Sequence, residues 1–316
     1  MLIVCNGCGK RYRLKDNIVP ANIERLRCRQ CQGTVRLEEK NEPFFFDRDR
    51  ALHGLPRENV ITFTNQKGGV AKTTTCLNLG LSLSILEKKV LLIDFDAQAN
   101  LSLSLGCGRH SSFFECIDSR TNDFSAHIIA TRYKGLFILP SNENMALLNK
   151  KYFGKKYFEF LLRDRLNLLK DAFDYILIDT PPSIEFFTLN ALTSARMAVI
   201  PCPCEFLATD GVKKTRKLIN LIQARSNPEL EFRVLITMYN EKETVSRVMY
   251  TKLQKLYRGH IFKTTIFSDS KIKESQIVSL PALAYDRKSL AGLQHIELAN
   301  EMIELMPAAG GPAPVS

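Results

Sequence analysis

The 316-residue chain predicts an α/β fold, a largely parallel sheet with helices on both faces, preceded by a small separate module. Three observations carry this reading. Short β-branched runs alternate with helical stretches from residue 59 onward, one such run leads through glycines into an uninterrupted apolar helix, and the first forty residues are polar with paired cysteines. Strands are expected at 60–64, 90–95, 136–139, 175–179, 197–201, 232–238 and 262–267, with helices at 73–87, 156–171, 184–195, 209–225 and 243–257. Strands this apolar, joined by helices, pair in parallel with both faces covered. Their order within the sheet is not legible.

Taken from the N-terminus, residues 1–40 hold Cys5-x-x-Cys8 and Cys28-x-x-Cys31, with nineteen residues between the inner cysteines. That spacing fits a four-thiolate zinc site, each pair supplying two sulfurs from one turn; a redox dithiol is the alternative. So short and polar a segment cannot bury enough apolar surface to fold alone, so the metal would supply much of its folding free energy. Residues 41–58 read as a charged linker, broken by Pro43 and Pro56, whose Phe44-Phe45-Phe46 is expected to dock on the core, with docking on a partner as the alternative. Residues 59–306 form the main domain, and the Pro/Gly/Ala-rich residues 307–316 a frayed tail.

Composition narrows the function classes. Apolar residues at 45% and charged residues at 24% are ordinary for a globular protein, and a net charge of +11 suggests a polyanionic partner. No apolar run approaches the roughly 20 residues that span a bilayer, and the start lacks a signal peptide's basic region, so a cytoplasmic protein is expected. Nine cysteines in that compartment should be reduced or metal-bound.

The run Asn59 to Thr75 carries the chemistry. A strand, then Lys67-Gly68-Gly69-Val70-Ala71-Lys72-Thr73-Thr74, then a helix places backbone N–H groups and the positive helix end against phosphates. Lys72 would sit on the β/γ oxygens and Thr73 would coordinate Mg²⁺. The second strand ends in Asp94-Phe95-Asp96, and alternation puts both acids on one face toward the crevice beyond the strand ends. The apolar run Tyr175–Ile178 ends in Asp179 before Thr180-Pro181-Pro182, the pattern that holds a water of the Mg²⁺ shell.

The second lysine at the loop entrance resembles the deviant P-loop of the ParA/MinD family of ATPases, which makes the fold a P-loop NTPase. The resemblance, of ParA/Soj type, covers nearly everything from residue 59 to 306, including the runs 200–205 and 235–239 and Tyr285-Asp286. It implies ATP and Mg²⁺ as cofactors and an ATP-dependent homodimer in which Lys67 reaches the partner's nucleotide. It further implies that Asp96 positions the attacking water, that Asp94 supports the Mg²⁺ waters, and that Phe267 and Asp269 lie beside the base. Ala71, Ala97 and Ala99 stand where the family usually has Gly, Pro and Gly, and Phe267-Ser268 replaces Pro-Arg. Residues 1–40 resemble a short bacterial zinc-ribbon finger. Cys202 and Cys204 could suggest a metal, but the family's Cys-Glu at the second position favours buried thiols; Cys76, Cys107 and Cys116 read as packing residues.

Two helices offer basic faces. In 209–225, Val212, Ile219 and Ile222 form a stripe that leaves Lys213, Lys214, Arg216 and Lys217 outside; in 243–257, Val245, Val248, Met249, Leu253 and Leu256 would be buried with Arg247, Lys252, Lys255 and Arg258 outside. The resemblance implies nonspecific DNA binding there, with Lys242 near a position where relatives use arginine, and a ParB-like activator. A C-terminus holding Pro307 and Pro312 cannot form an amphipathic membrane helix, so no membrane partner is expected. An adaptor using the nucleotide site as a switch, and an iron–sulfur reductase on the same fold, are the competing classes.

Overall fold

The computed structural model describes residues 2–4, 11–13, 25–28, 30–31 and 34–36, and residues 58–307 apart from 108–110, 119–123, 170–171 and 207. The chain divides into two compact units, Met1–Arg48 and Asp49–Ser316. In the first, β1 (Leu2–Val4) pairs antiparallel with β2 (Arg11–Arg13), and β3 (Arg25–Arg27) with β4 (Thr34–Arg36). Cys28 and Cys31 lie in the turn between β3 and β4, Cys28 buried and Cys31 exposed. Cys5, Cys8 and Phe44-Phe45-Phe46 lie outside the described residues.

The second unit is built on β5 (Val60–Phe63), β6 (Val90–Asp94), β7 (Ile129–Ala130), β8 (Leu136–Leu139), β9 (Tyr175–Asp179), β10 (Met197–Pro203), β11 (Glu231–Tyr239) and β12 (Ile261–Phe267). These form one sheet in the order β12-β11-β10-β5-β9-β6-β8-β7, parallel except for the short edge strand β7. All seven expected strands are present. The central strands are buried along their whole length, which requires cover on both faces. Helices α1 (Lys72–Ile85) and α11 (Leu290–Leu305) pack on each other and on the sheet; α6 (Phe186–Ser194) and α7 (Ala208–Arg225) form a second such pair.

Register decides what meets at the carboxyl edge. Phe63 and Asp94 both align with Asp179, because β9 inserts between β5 and β6. The glycine loop and the two strand-end acids therefore share the point where the winding direction reverses, the ligand crevice of open α/β sheets. At the other edge, the Glu301 carboxylate of α11 accepts the amides of Lys263 and Thr264 at 2.7 and 2.9 Å, which covers donors of β12.

Some helices depart from expectation. The stretch 156–171 forms a 3₁₀ turn at Phe158–Phe160 and a short α5 (Leu161–Asn167), because Gly154 and Tyr157 both take positive φ and break its start. Six helices lie beyond the stretches named from the sequence: α2 (Asn100–Ser104), α3 (Phe113–Asp118), α4 (Met145–Tyr152), α9 (Ser270–Ile277), α10 (Ala282–Tyr285) and α11. Several are too short to display a period. For α11 the signal was present: Ser289 accepts from the Gly292 amide as its N-cap.

In α8 (Thr244–Leu256) the buried seam is Ser246, Met249 and Leu253, while Val245, Val248 and Leu256 are 58%, 60% and 51% exposed. This corrects the expected stripe. The Ser246 hydroxyl accepts the Asn240 amide at 3.0 Å, which turns Ser246 inward and rotates the valines out.

Candidate functional site

The loop after β5 is held from several elements. Asn65 is buried and donates to the Pro201 carbonyl at 2.8 Å, while its Oδ1 accepts the Lys67 amide at 3.0 Å. A Cβ on Gly211 would lie 2.6 Å from that Oδ1, so only glycine lets α7 pass so close. Thr237 donates to the Val70 carbonyl at 3.3 Å. The loop turns at Gly69 and Ala71, with φ of 73° and 71°. Ala99, before α2, also lies at a positive φ, 55°. Both positions where the family usually has glycine thus hold alanine in left-handed backbone, each costing about 1 to 2 kcal/mol.

At the head of α1 the amides of Lys72, Thr73 and Thr74 have no carbonyl a turn earlier within the helix, and no side chain caps them. The Lys72 ammonium is buried and donates to the Lys67 carbonyl at 3.3 Å. Burial lowers its pKa, opposed by the charges of Asp179 and Asp96. Thr73 donates to Asp179 Oδ2 at 2.6 Å. The other oxygen of Asp179 is buried with no hydrogen-bond partner. Burial, then the charge of Asp94, pushes the Asp179 carboxyl up to about 8, although Thr73 and Lys72 act the other way.

The two acids of the second motif part company. Asp94 is fully buried, its Oδ2 accepting both the amide and hydroxyl of Ser102 at 2.7 Å and its Oδ1 the Asp96 amide at 3.3 Å. Burial raises it to about 6 against those bonds. Asp96 is half-buried, and Oδ1 accepts the Gln98 amide at 2.9 Å. Only Asp96 keeps the outward position expected of both, because α2 brings Ser102 over Asp94. Ser102 and Asn65 were not legible as site residues, since their roles depend on long-range approach.

These groups fit a hard divalent cation: an unpaired buried carboxylate oxygen, a hydroxyl and two further acids within electrostatic reach of one another. The donor-rich loop beside them fits phosphate. Lys67 forms an ion pair with Glu205 at 2.8 Å within the same chain. Phe267 packs edge-on against Tyr239, with ring centroids 5.0 Å apart. Asp269 caps α9 through the Lys271 amide and also accepts from Ser289 Oγ and the Ala291 amide. Beyond Thr73 and Thr74 a cavity of about 410 Å³ opens between α1, α2 and α9.

Lys213, Lys214, Arg216 and Lys217 are exposed on α7 opposite buried Val212, Ile219 and Ile222. Lys242, Arg247, Lys252, Lys255 and Arg258 are exposed on and around α8. Cys76, Cys107, Cys116, Cys202 and Cys204 are buried free thiols. Among the described residues no group of three or more His, Cys, Asp or Glu is arranged around a metal position, and no helix is long and apolar enough to cross a membrane. At the N-terminal cysteines, the Gln30 amide donates to Cys28 Sγ at 3.4 Å.

Residues 58–232 match the family model of an AAA domain and residues 1–35 that of a zinc-ribbon domain. The chain is 32% identical over 247 residues to the sporulation initiation inhibitor protein Soj of Bacillus subtilis, which covers 77% of this chain and 97% of Soj. It is 30% identical over 250 residues to the chromosome partitioning protein ParA of Caulobacter vibrioides, covering 77% and 93% of the two chains. A crystal structure of cobyrinic acid a,c-diamide synthase from Mycobacterium smegmatis, with bound ADP and magnesium, superposes with a TM-score of 0.68 at 28% identity, over 80% of this chain and 99% of that one. With the lysine-bearing loop, the strand-end acids and this extent of similarity together, the chain belongs to the ParA/Soj family of P-loop ATPases.

Proposed function

We propose that this chain is an ATP-hydrolysing, ATP-dependently dimerising positioning ATPase that binds DNA without sequence preference and moves a cargo with a ParB-like partner. The observation that carries the reading is the Lys72–Thr73–Asp179 cluster at the head of α1, with one Asp179 oxygen buried and unpaired. Gly68, Gly69, Val70, Ala71, Lys72, Thr73 and Thr74 would hold the phosphates through backbone amides and one ammonium. Mg²⁺, held by Thr73 with Asp179 and Asp94 behind it, would offset phosphate charge when bound. Asp96 orients the attacking water. Lys67 leaves Glu205 to reach the nucleotide of a second copy. Phe267 and Asp269 bound the base side.

The exposed cations of α7 support a phosphate-contacting surface, and those of α8 extend it. Cys5, Cys8, Cys28 and Cys31 would hold Zn²⁺ as a structural ion, which the ribbon similarity supports. The setting is cytoplasmic and nucleoid-associated. The test combines Asp96→Ala in a turnover assay with Lys67→Ala in an ATP-dependent dimerisation assay. Loss of turnover in the first and of self-association in the second is expected; unchanged turnover in the first overturns the catalytic assignment. ATP-dependent DNA retention of the full chain against Lys213→Ala/Lys217→Ala tests the surface.

A further inference from the structure

α9 connects two parts of the site that are far apart in sequence. It starts on the Asp269 cap, next to Phe267, and at its far end the Gln276 side-chain amide donates to Thr74 Oγ1 at 2.9 Å. A threonine hydroxyl has one proton and two lone pairs. Gln276 occupies a lone pair, so the proton of Thr74 must find an acceptor elsewhere. In a helix that acceptor is usually the carbonyl four residues earlier, here that of Val70. Val70, however, precedes the left-handed N-cap Ala71 and lies outside the helix; its carbonyl accepts the Thr237 hydroxyl at 3.3 Å and no bond from Thr74. Among the described residues Thr74 Oγ1 has no other partner. Its proton is therefore free to meet an acceptor supplied by a ligand at the cavity that Thr73, Thr74 and Gln276 line together.

We propose that Gln276 is a positioning residue that fixes the Thr74 hydroxyl with its proton directed at a phosphate oxygen of the nucleotide. The inference rests on the assignment of Thr74 to the nucleotide made above. The amide suits the role because it donates without bringing charge. An acidic side chain at 276 would instead take the Thr74 proton and turn lone pairs toward the phosphate. The local fold does not depend on this contact. Asn78 separately ties the same turn to the segment after α9, donating to the Thr74 carbonyl at 2.8 Å and accepting the Ala282 amide at 2.7 Å. Gln276 itself is exposed, so its removal leaves packing intact.

The test is a double-mutant cycle on the full chain with Mg²⁺ and a fluorescent ADP, read as dissociation constants, with thermal midpoints recorded without nucleotide. Gln276→Ala and its apolar near-isostere Gln276→Met should each weaken binding about 3- to 10-fold, the size of one hydrogen bond, at unchanged midpoint. Thr74→Val should weaken it at least as much, and Gln276→Ala added to Thr74→Val should do nothing more. In Thr74→Ser, which keeps a hydroxyl, sensitivity to Gln276→Ala should persist. Gln276→Glu should bind more weakly than Gln276→Ala. If Gln276→Ala weakens the Thr74→Val protein as much as the wild type, or leaves the wild type unaffected while Thr74→Val is impaired, the positioning role is overturned. If Thr74→Val itself binds normally, the fault lies in the assignment of Thr74 to the nucleotide, and the inference falls with it.

Discussion

Replacing Ala71 by glycine should stabilise this protein, the reverse of what glycine usually does. Ala71 sits at φ 71° and ψ 29°, a left-handed conformation that costs an alanine about 1 to 2 kcal/mol relative to right-handed backbone. Glycine removes that strain but gains freedom in the unfolded chain, which takes back about 0.4 to 1 kcal/mol. The net gain is about 0.5 to 1 kcal/mol, or a rise in Tm of about 1 to 4 °C for a domain of this size. Ala99, at φ 55° and ψ 29°, obeys the same reasoning, and the double variant should gain about twice as much. The assay is thermal or urea unfolding without nucleotide. Ala224→Gly in the last turn of α7 is the control, since glycine in right-handed helix should lose up to about 1 kcal/mol. Should Ala71→Gly prove neutral or behave like the control, the left-handed turn is not the resting conformation of the loop. Because strain is relieved in free and bound protein alike where the turn is kept, ADP should raise the Tm of variant and wild type equally.

Further consequences follow from the buried ionisable groups and the basic face. His295 is buried, its Nδ1 donating to the Ala291 carbonyl at 2.6 Å while Nε2 has no partner among the described residues, and burial depresses it to about 4 from an unfolded value near 6.5. The unfolded chain then binds the proton first, so stability falls as pH drops from 6.5 toward 4, by about 3 kcal/mol; His295→Leu should flatten that window in pH-dependent urea unfolding. Asp179, raised from an unfolded value near 3.8 to about 8, is folded more favourably with its proton on, so the free protein should lose stability as pH rises from about 4 to about 8, with no further loss from this group above that. Asp179→Asn should remove that loss, while Mg²⁺ with ATP no longer raises its Tm. Converting Lys213, Lys214, Arg216 and Lys217 to alanine should lower the salt dependence of DNA binding by about 3 to 4 in the slope of log K against log salt, if each meets a phosphate; an unchanged slope places the contacts elsewhere.

Gly211→Ala would force its Cβ to within 2.6 Å of Asn65 Oδ1, which also holds the Lys67 amide. The variant should weaken nucleotide binding through displacement of the loop entrance, with a smaller loss of thermal stability, both measurable on one preparation.

The alternation of strand and helix, the phosphate loop and the strand-end acids were legible in the chain itself, because each is a local pattern. The apolar period sets the element, glycines mark the turn, and an acid closing an apolar strand marks the crevice. Only tertiary packing decided which of those groups share an environment. Insertion of β9 between β5 and β6 brought Asp179 level with both Phe63 and Asp94, and α2 then laid Ser102 over Asp94 and parted it from Asp96. The same limit misplaced Val245 and Val248, since one hydrogen bond from Asn240 to Ser246 sets the rotation of α8. Sequence period fixes which residues can share a face, whereas contacts between segments distant in the chain choose which face is turned inward.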